Sequence, residues 1–526
     1  MNKEDKILCL DVLALLGVAA YCFFSSMFGS DFAEISTTVS FLDFPIFIGE
    51  QLIFILIVLF AIKTFLMKKA QSWIWGWGVY IGWILFASLM GYIHWGPLTL
   101  RNAALFYYVL FVLFGYSFYN PRIFSNQAVI KTIFLLSLCM AAFKFIGVYF
   151  WYSYVVLMMV IVLKRFHVYR WWLIPTVFFL AHYEILFVGK RAHMVGVFGS
   201  LVFFAVVLGV YLVKLSRVLK LAIFAIFVLF IFGFNKLGDQ NAIKSILDWK
   251  VITKLYATHK QYVETHKESY KEKPIVCKLY NKNLQSDFNE GIRNKKPVLM
   301  KLINTTKLNS RSLSAIVQNN DSQVSSQEVF RNRSPEPLSK TNNEKLHVDH
   351  MAKLVYVNDS KNVSNKPESQ AVQDRDLGVA HANILFRIFV WEDMWNELYP
   401  YKLITGVGLG QPQRSSSIEI LNWGASEWSR DGWIMPHNSF FHMVYRAGLI
   451  GLLVILSLLG TLAYLTQIFV RRKDVSGVLL ISVLVYWCLL AMFSVTLELP
   501  YYAILFWSLL GLTMAYAFSQ RQYENQ

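Results

Sequence analysis

One imidazole and a handful of guanidiniums stand where chemistry on an anionic substrate would need them. His437 and Asn438 immediately precede an apolar run. Imidazole is the side chain best suited to take a proton near neutral pH. Arg387 lies on an amphipathic helical stretch. Arg191 follows Lys190 in Gly189-Lys190-Arg191-Ala192-His193, between two apolar runs, and Arg101-Asn102 opens another such run. Guanidinium pairs bidentately with phosphate. Each residue alone has a plainer use. A histidine at a helix start commonly caps the helix, Lys190 or Arg191 can snorkel to lipid phosphate, Arg101 can anchor at an interface, and a surface Arg387 can be solvated. Together, one base and two or three arginines at one depth form an anion clamp suited to a lipid-linked phosphate.

The frame that must hold these residues is set by composition. The chain has 526 residues, of which 56% are hydrophobic and 16% charged, against about 25% charged in an average soluble chain. Mean hydropathy is +0.44. These values exclude a disordered protein, a collagen, a coiled coil and an ordinary cytosolic enzyme, and imply an all-α polytopic membrane protein. Four of the cysteines, Cys9, Cys22, Cys139 and Cys488, lie in apolar runs, which leaves Cys277 alone in the polar stretch. Neither a disulfide framework nor a metal site follows from that spacing. The net charge of +17 fits anionic lipid or an anionic substrate and does not require nucleic acid.

A span needs roughly 20 apolar residues. Such runs fall near 7–28, 44–66, 73–94, 98–118, 127–148, 149–163, 171–188, 192–213 and 217–234, then near 439–468, 475–496 and 500–518, about twelve in all. With the N-terminus inside, the inner loops hold Lys3 and Lys6, Lys63, Lys68 and Lys69, Arg122, Lys164, Arg165 and Arg170, Lys214, Arg217 and Lys220, and Arg471, Arg472 and Lys473. The short outer loops hold only Arg101, Lys144 and the pair Lys190–Arg191. The positive-inside rule then puts both termini in the cytoplasm and the long polar segment between the ninth and tenth spans outside. Asp11, early in the first span, is expected to reach the inner interface.

The polar segment divides in two. Residues 236–380 are rich in Asn, Lys and Ser, as in Asn319-Asn320-Asp321-Ser322, with no apolar period. Such composition cannot offset chain entropy, so a flexible insertion is expected, with a lysine-rich helix at 249–272. Residues 381–437 regain helical spacing, stop at Tyr399-Pro400, turn through Gly406-Val407-Gly408-Leu409-Gly410, and form a compact helical subdomain. The bundle is thus expected over 1–235 and 438–518, with a cytoplasmic tail at 519–526.

Arg387-x3-Trp391, then Gly406-Val407-Gly408-Leu409-Gly410, then His437-Asn438-Ser439 running on to Gly448-Leu449-Ile450-Gly451 resemble the signature of the O-antigen ligase / O-antigen polymerase superfamily. Gly189-Lys190-Arg191-Ala192 is similar to that family's small-residue-plus-arginine motif, and the large outer loop matches its layout. The 240–380 insertion is a departure. The resemblance implies an integral-membrane C-type glycosyltransferase that needs neither metal nor cofactor. Its donor would be a glycan on undecaprenyl diphosphate, and its acceptor another glycan or lipid A–core. Carried over, Arg191 and Arg387 hold the diphosphate, His437 is the general base, and Lys190, Arg101 and Asn438 bind substrate. A chain-length regulator is a further implied partner.

Polymerase and ligase share a donor and differ in acceptor. Gly-Lys-Arg-Ala tilts the reading to polymerase. A flippase for the same lipid-linked sugar would carry charges along its span interiors and internal repeats, and the cations here cluster at one face instead.

Overall fold

The computed structural model describes residues 2–39, 44–67, 73–96, 98–126, 249–270, 368–423, 429–430, 432 and 434–524, plus scattered positions between 129 and 207. Helix α1 (Lys3–Phe28) starts where Asn2 accepts from the Asp5 amide at 2.8 Å, with Glu4 and Asp5 facing the positive helix end. After α2 (Ser30–Ala33), a short antiparallel hairpin pairs β1 (Ser36–Val39) with β2 (Phe44–Phe47). Next come α3 (Ile48–Met67), α4 (Trp73–Trp95), α5 (Leu98–Tyr107), α6 (Leu110–Phe118) and α7 (Pro121–Ser125). The later described helices are α8 (Trp249–Lys267), α9 (Glu368–Leu398), α10 (Ser416–Ile420), α11 (Ser439–Ala447), α12 (Leu449–Arg471), α13 (Val475–Phe493) and α14 (Pro500–Glu524).

Six of these helices, α1, α3, α4, α12, α13 and α14, are long and apolar enough to cross a membrane. The pair α5–α6, bent by 41°, makes a seventh if it counts as one span. The chain is a multi-pass α-helical membrane protein. Among the twelve expected spans, those at 127–148, 149–163, 171–188, 192–213 and 217–234 lie outside the described residues, apart from the scattered positions.

Two expected spans are broken. The run at 439–468 is α11 followed by α12, separated at Gly448. That residue has φ +54°, and a Cβ there would lie 2.4 Å from the Ile404 carbonyl. The run at 98–118 bends between α5 and α6, where the Tyr107 and Tyr108 hydroxyls both donate to Glu50, at 2.5 and 2.9 Å.

Among the described residues, α6 and α14 pack backbone against backbone. A Cβ on Gly511 would sit 2.2 Å from the Val112 carbonyl, and one on Gly115 2.5 Å from the Ser508 carbonyl. Absent side chains let the backbones approach, the usual route to helix association inside a bilayer. Phe106, Phe111, Phe506 and Trp487 fill the surrounding core.

Lys63 departs from expectation, and Asp11 is its partner. Lys63 lies within α3 and not in a loop, and both residues are buried and form an ion pair between α1 and α3. Lys63 also donates to the Ser117 carbonyl at 2.6 Å, and Asn120 donates to the second Asp11 oxygen at 3.0 Å. Removing one partner strands a buried charge, so Asp11→Ala or Lys63→Ala should each destabilise the protein by about 3–5 kcal/mol. Unfolding of the purified protein in mixed micelles measures this. An unchanged midpoint in both variants would mean the pair contributes nothing.

The contact pattern divides the chain into two units, Met1–Glu272 with Val372–Gln526, and Lys273–Ala371. Helix α8 therefore belongs with the bundle-bearing unit. Lys260 and Tyr256 both bond Glu392 of α9 at 2.6 Å, and Tyr270 bonds Glu419. Glu419 also takes two bonds from Arg414, at 3.0 and 2.7 Å. Asp393 accepts from the Ser415 hydroxyl and from both the amide and hydroxyl of Ser417. Beneath this polar lacing, Phe389, Val390, Met394, Leu398, Ile418, Ile434 and Tyr445 form a second small core. Helix α9 runs through the expected boundary at 380–381, and its partner α8 falls on the lysine-rich helix expected at 249–272.

Candidate functional site

The helices assemble the site at one end of the bundle, where α4 ends, α5 and α11 begin, and α13 turns into α14. Both described chain ends lie at the opposite end, because α1 rises from Lys3 and α14 descends to Glu524. His437 closes the loop before α11. Its φ of +50° is unusual for a residue with a side chain. The loop is held by Trp391 of α9, whose indole N–H donates to the Pro436 carbonyl at 2.6 Å. Phe386, one residue before Arg387, packs edge-on against the His437 ring at 6.0 Å. Helix α9 thus fixes the backbone and ring of His437 and brings Arg387 close enough to act on its charge.

Burial pushes the His437 pKa below the usual histidine value, and the Arg387 guanidinium pushes it the same way. Glu498 opposes both. The imidazole is therefore the free base at neutral pH. Glu498 follows α13. Burial alone would raise its carboxyl, but His442, Arg101 and Arg446 outweigh burial and hold it below the usual carboxylate value. It is an ionised partner for the cations and not a proton donor.

Asn438 is the N-cap of α11: its side-chain oxygen accepts from the Phe441 amide at 2.9 Å. That oxygen is committed to the helix. Arg101 is in the first turn of α5. It lines a small cavity of about 60 Å³, mostly apolar, into which Asn102, Gln413, His442, Arg446 and Glu498 also face. Arg101, Arg387, His437 and Asn438 thus share one end of the molecule, with Glu498 acting on both Arg101 and His437. Lys190 and Arg191 lie outside the described residues.

The glycine-rich turn is a strut and not a cradle. Gly406, Gly408 and Gly410 all have positive φ, from 72° to 100°. The Val407 and Gly408 amides donate to the Tyr445 and Arg446 carbonyls of α11 at 2.8 and 3.1 Å. A Cβ on Gly406 would lie 2.4 Å from the Arg446 carbonyl, and one on Gly410 would lie 2.1 Å from Thr99 Oγ1. The turn therefore pins α11 to the start of α5.

Two groups important to this arrangement, His442 and Arg446, are not among the residues singled out from sequence, and a third, Glu498, is a residue for which the sequence allows either a carboxylate in a cavity or a plain turn. Arg446 is 4% exposed, and its guanidinium donates to His442 Nε2 at 2.9 Å and to the Gln411 carbonyl at 2.5 Å. His442 Nδ1 lies 2.9 Å from Glu498 Oε1. A readable signal existed: His442 and Arg446 are four apart on one helix, the spacing that puts side chains in contact. For Glu498 in Glu498-Leu499-Pro500, turn geometry is an equally good reading of the sequence. Comparison with known proteins found no matching family model, curated protein or solved structure.

Proposed function

We propose that the chain is an inverting, metal-independent glycosyltransferase that transfers a glycan from undecaprenyl diphosphate and polymerises surface-polysaccharide repeat units. The observation that carries the proposal is the placement of Arg101, Arg387, His437 and Glu498 at one end of an apolar bundle, where burial and Arg387 lower the His437 pKa. A lipid diphosphate is already a good leaving group, so positioning and charge neutralisation are most of what the protein must supply.

In the proposed reaction His437 takes the proton of an acceptor hydroxyl. The oxygen attacks the anomeric carbon from the face opposite the diphosphate, the carbon–oxygen bond to phosphate breaks, and the configuration inverts. Arg387 and Arg191 receive the charge that develops on the departing diphosphate, with Lys190, Arg101 and Asn438 lining the substrate path. The proposed setting is a bacterial inner membrane with twelve spans, both termini cytoplasmic and the site periplasmic. It rests on Lys3, Lys6, Arg122, Arg471, Arg472 and Lys473 at the end opposite the site. Membrane lipids and a chain-length regulator complete the proposed surroundings.

Proteoliposomes carrying the purified protein and a synthetic lipid-diphosphate repeat, with or without lipid A–core, test the proposal. A ladder of multiples without lipid A–core is expected. Product formed only on lipid A–core would move the assignment to a ligase, and no product on either acceptor would overturn the proposal.

A further inference from the structure

At the end of α9 a patch of large side chains faces outward. Helix α9 turns Val390, Met394 and Leu398 into the second small core. Trp395 and Tyr399, each one position further on, fall on the other side, exposed, with nearly parallel rings 6.0 Å apart. The turn that follows repeats the division: Leu403 packs on the same core, whereas Tyr401 is 94% and Ile404 74% exposed. The turn is nonetheless firmly built. The Lys402 amide donates to the Leu398 carbonyl at 3.0 Å, and the Gly406 amide to the Lys402 carbonyl at 2.8 Å. Ile404 is tied to the membrane bundle, because its carbonyl accepts from the Leu449 amide at 3.0 Å, in the first turn of α12. On α12, Leu449, Leu452, Leu453, Leu456 and Leu459 are exposed along one face at helical spacing. In a helix long and apolar enough to cross a membrane, that face is a lipid-facing stripe. The patch continues the stripe beyond the end of the helix.

We propose that Trp395, Tyr399, Tyr401 and Ile404 seat the C-terminal end of α9 in the lipid headgroup layer at the site end of the bundle. Large apolar surface left in water is unfavourable. Three of the four residues are Trp or Tyr, which concentrate at the membrane–water boundary because they are apolar in body and polar at the tip. An irregular turn is excluded from hydrocarbon, where unanswered backbone groups are costly, so the headgroup layer is the depth that suits it. Bilayer lying against Leu449 also reaches Ile404, since one hydrogen bond joins the two residues. A second copy of this chain is the competing occupant. Arg387 stands eight residues before Trp395 on the same helix, about 12 Å along the axis. Between them Trp391 holds the loop of His437. Lipid contact at one end of α9 therefore sets how far Arg387 and His437 stand from the bilayer. The proposal goes beyond the glycosyl-transfer reading and does not depend on it.

The test places the photoreactive residue benzoylphenylalanine at Tyr401 or at Ile404 of the full-length protein, with Leu453 on the α12 stripe as the lipid-facing reference. Each protein is irradiated in nanodiscs of phosphatidylethanolamine and phosphatidylglycerol, and intact-mass spectrometry reads the product. One phospholipid added at 401 and at 404, as at 453, is the expected result. Labelling at 453 with no lipid adduct at 401 or 404 overturns the proposal. A crosslinked dimer at 401 or 404 in place of the lipid adduct gives the patch to a second copy and overturns it as well. Tyr401 is almost wholly exposed, so a probe there should leave the fold intact, and it decides alone if the 404 protein fails to fold. Adding Trp395→Ser and Tyr399→Ser to the 401 probe should cut its lipid adduct several-fold. An unchanged yield would overturn the seating role of those two rings.

Discussion

Replacing His437 with Ala should lower glycan transfer by about 10²–10⁴-fold, the range a general base contributes. The folded protein should remain, because His437 precedes α11 and the Asn438 cap, which starts the helix, is untouched. The pH profile carries the sharper information. Burial and Arg387 lower the His437 pKa, so the parent should hold its base form to more acidic pH than an ordinary histidine with a value near 6.5. The acidic limb of kcat/KM, which reports the free enzyme, should therefore fall below about 6.5, with activity lost only as pH drops through that lowered value. His437→Ala should abolish the limb along with the rate. A variant that keeps both rate and limb would remove His437 from the chemistry.

Arg446→Ala should fail earlier, at the level of the fold. The side chain is buried and ties α11 to the glycine-rich strut and, through His442, to Glu498. Removing it orphans the Gln411 carbonyl, the His442 ring nitrogen and one side of a buried carboxylate's surroundings. Each orphaned polar group costs about 1–3 kcal/mol, and breaking a buried charge network costs about 3–5 kcal/mol. Loss of the monodisperse peak in fluorescence-detected size-exclusion chromatography is the expected result. Arg446→Lys should rescue little, because an ammonium cannot reproduce the planar fork that reaches several acceptors at once. A monodisperse, heat-stable Arg446→Ala protein would show that the strut holds without its guanidinium.

The apolar frame was legible in the sequence because a bilayer demands long uninterrupted runs, and α1, α3, α12, α13 and α14 supply them without ambiguity. The interruptions were harder to read. Gly448 breaks α11 from α12 for a contact with Ile404, more than forty residues upstream, that no local pattern announces. Lys63 was read as a loop cation because hydropathy weighs a residue alone, whereas a buried partner on another helix changes its meaning. In the site, His437 and Arg387 stood out because their types are rare at such positions. His442 and Arg446 lie in the same stretch, where the sequence alone does not separate them from the helix around them. For Glu498 the sequence supports a turn at Glu-Leu-Pro as well as a carboxylate in a cavity. Chemistry that depends on residue type was visible. Chemistry that depends on which helix ends meet was not.

The ion pair between α1 and α3 bears on how the chain enters the bilayer. When the first segment emerges during synthesis it carries Asp11 with no counter-charge, because Lys63 has not yet been made. A lone carboxylate in hydrocarbon is costly, so α1 alone is a poorer span than α1 paired with α3. Ser117 and Asn120 complete the coordination still later. The first helix therefore meets its full set of polar partners only after three further segments of the chain have been made.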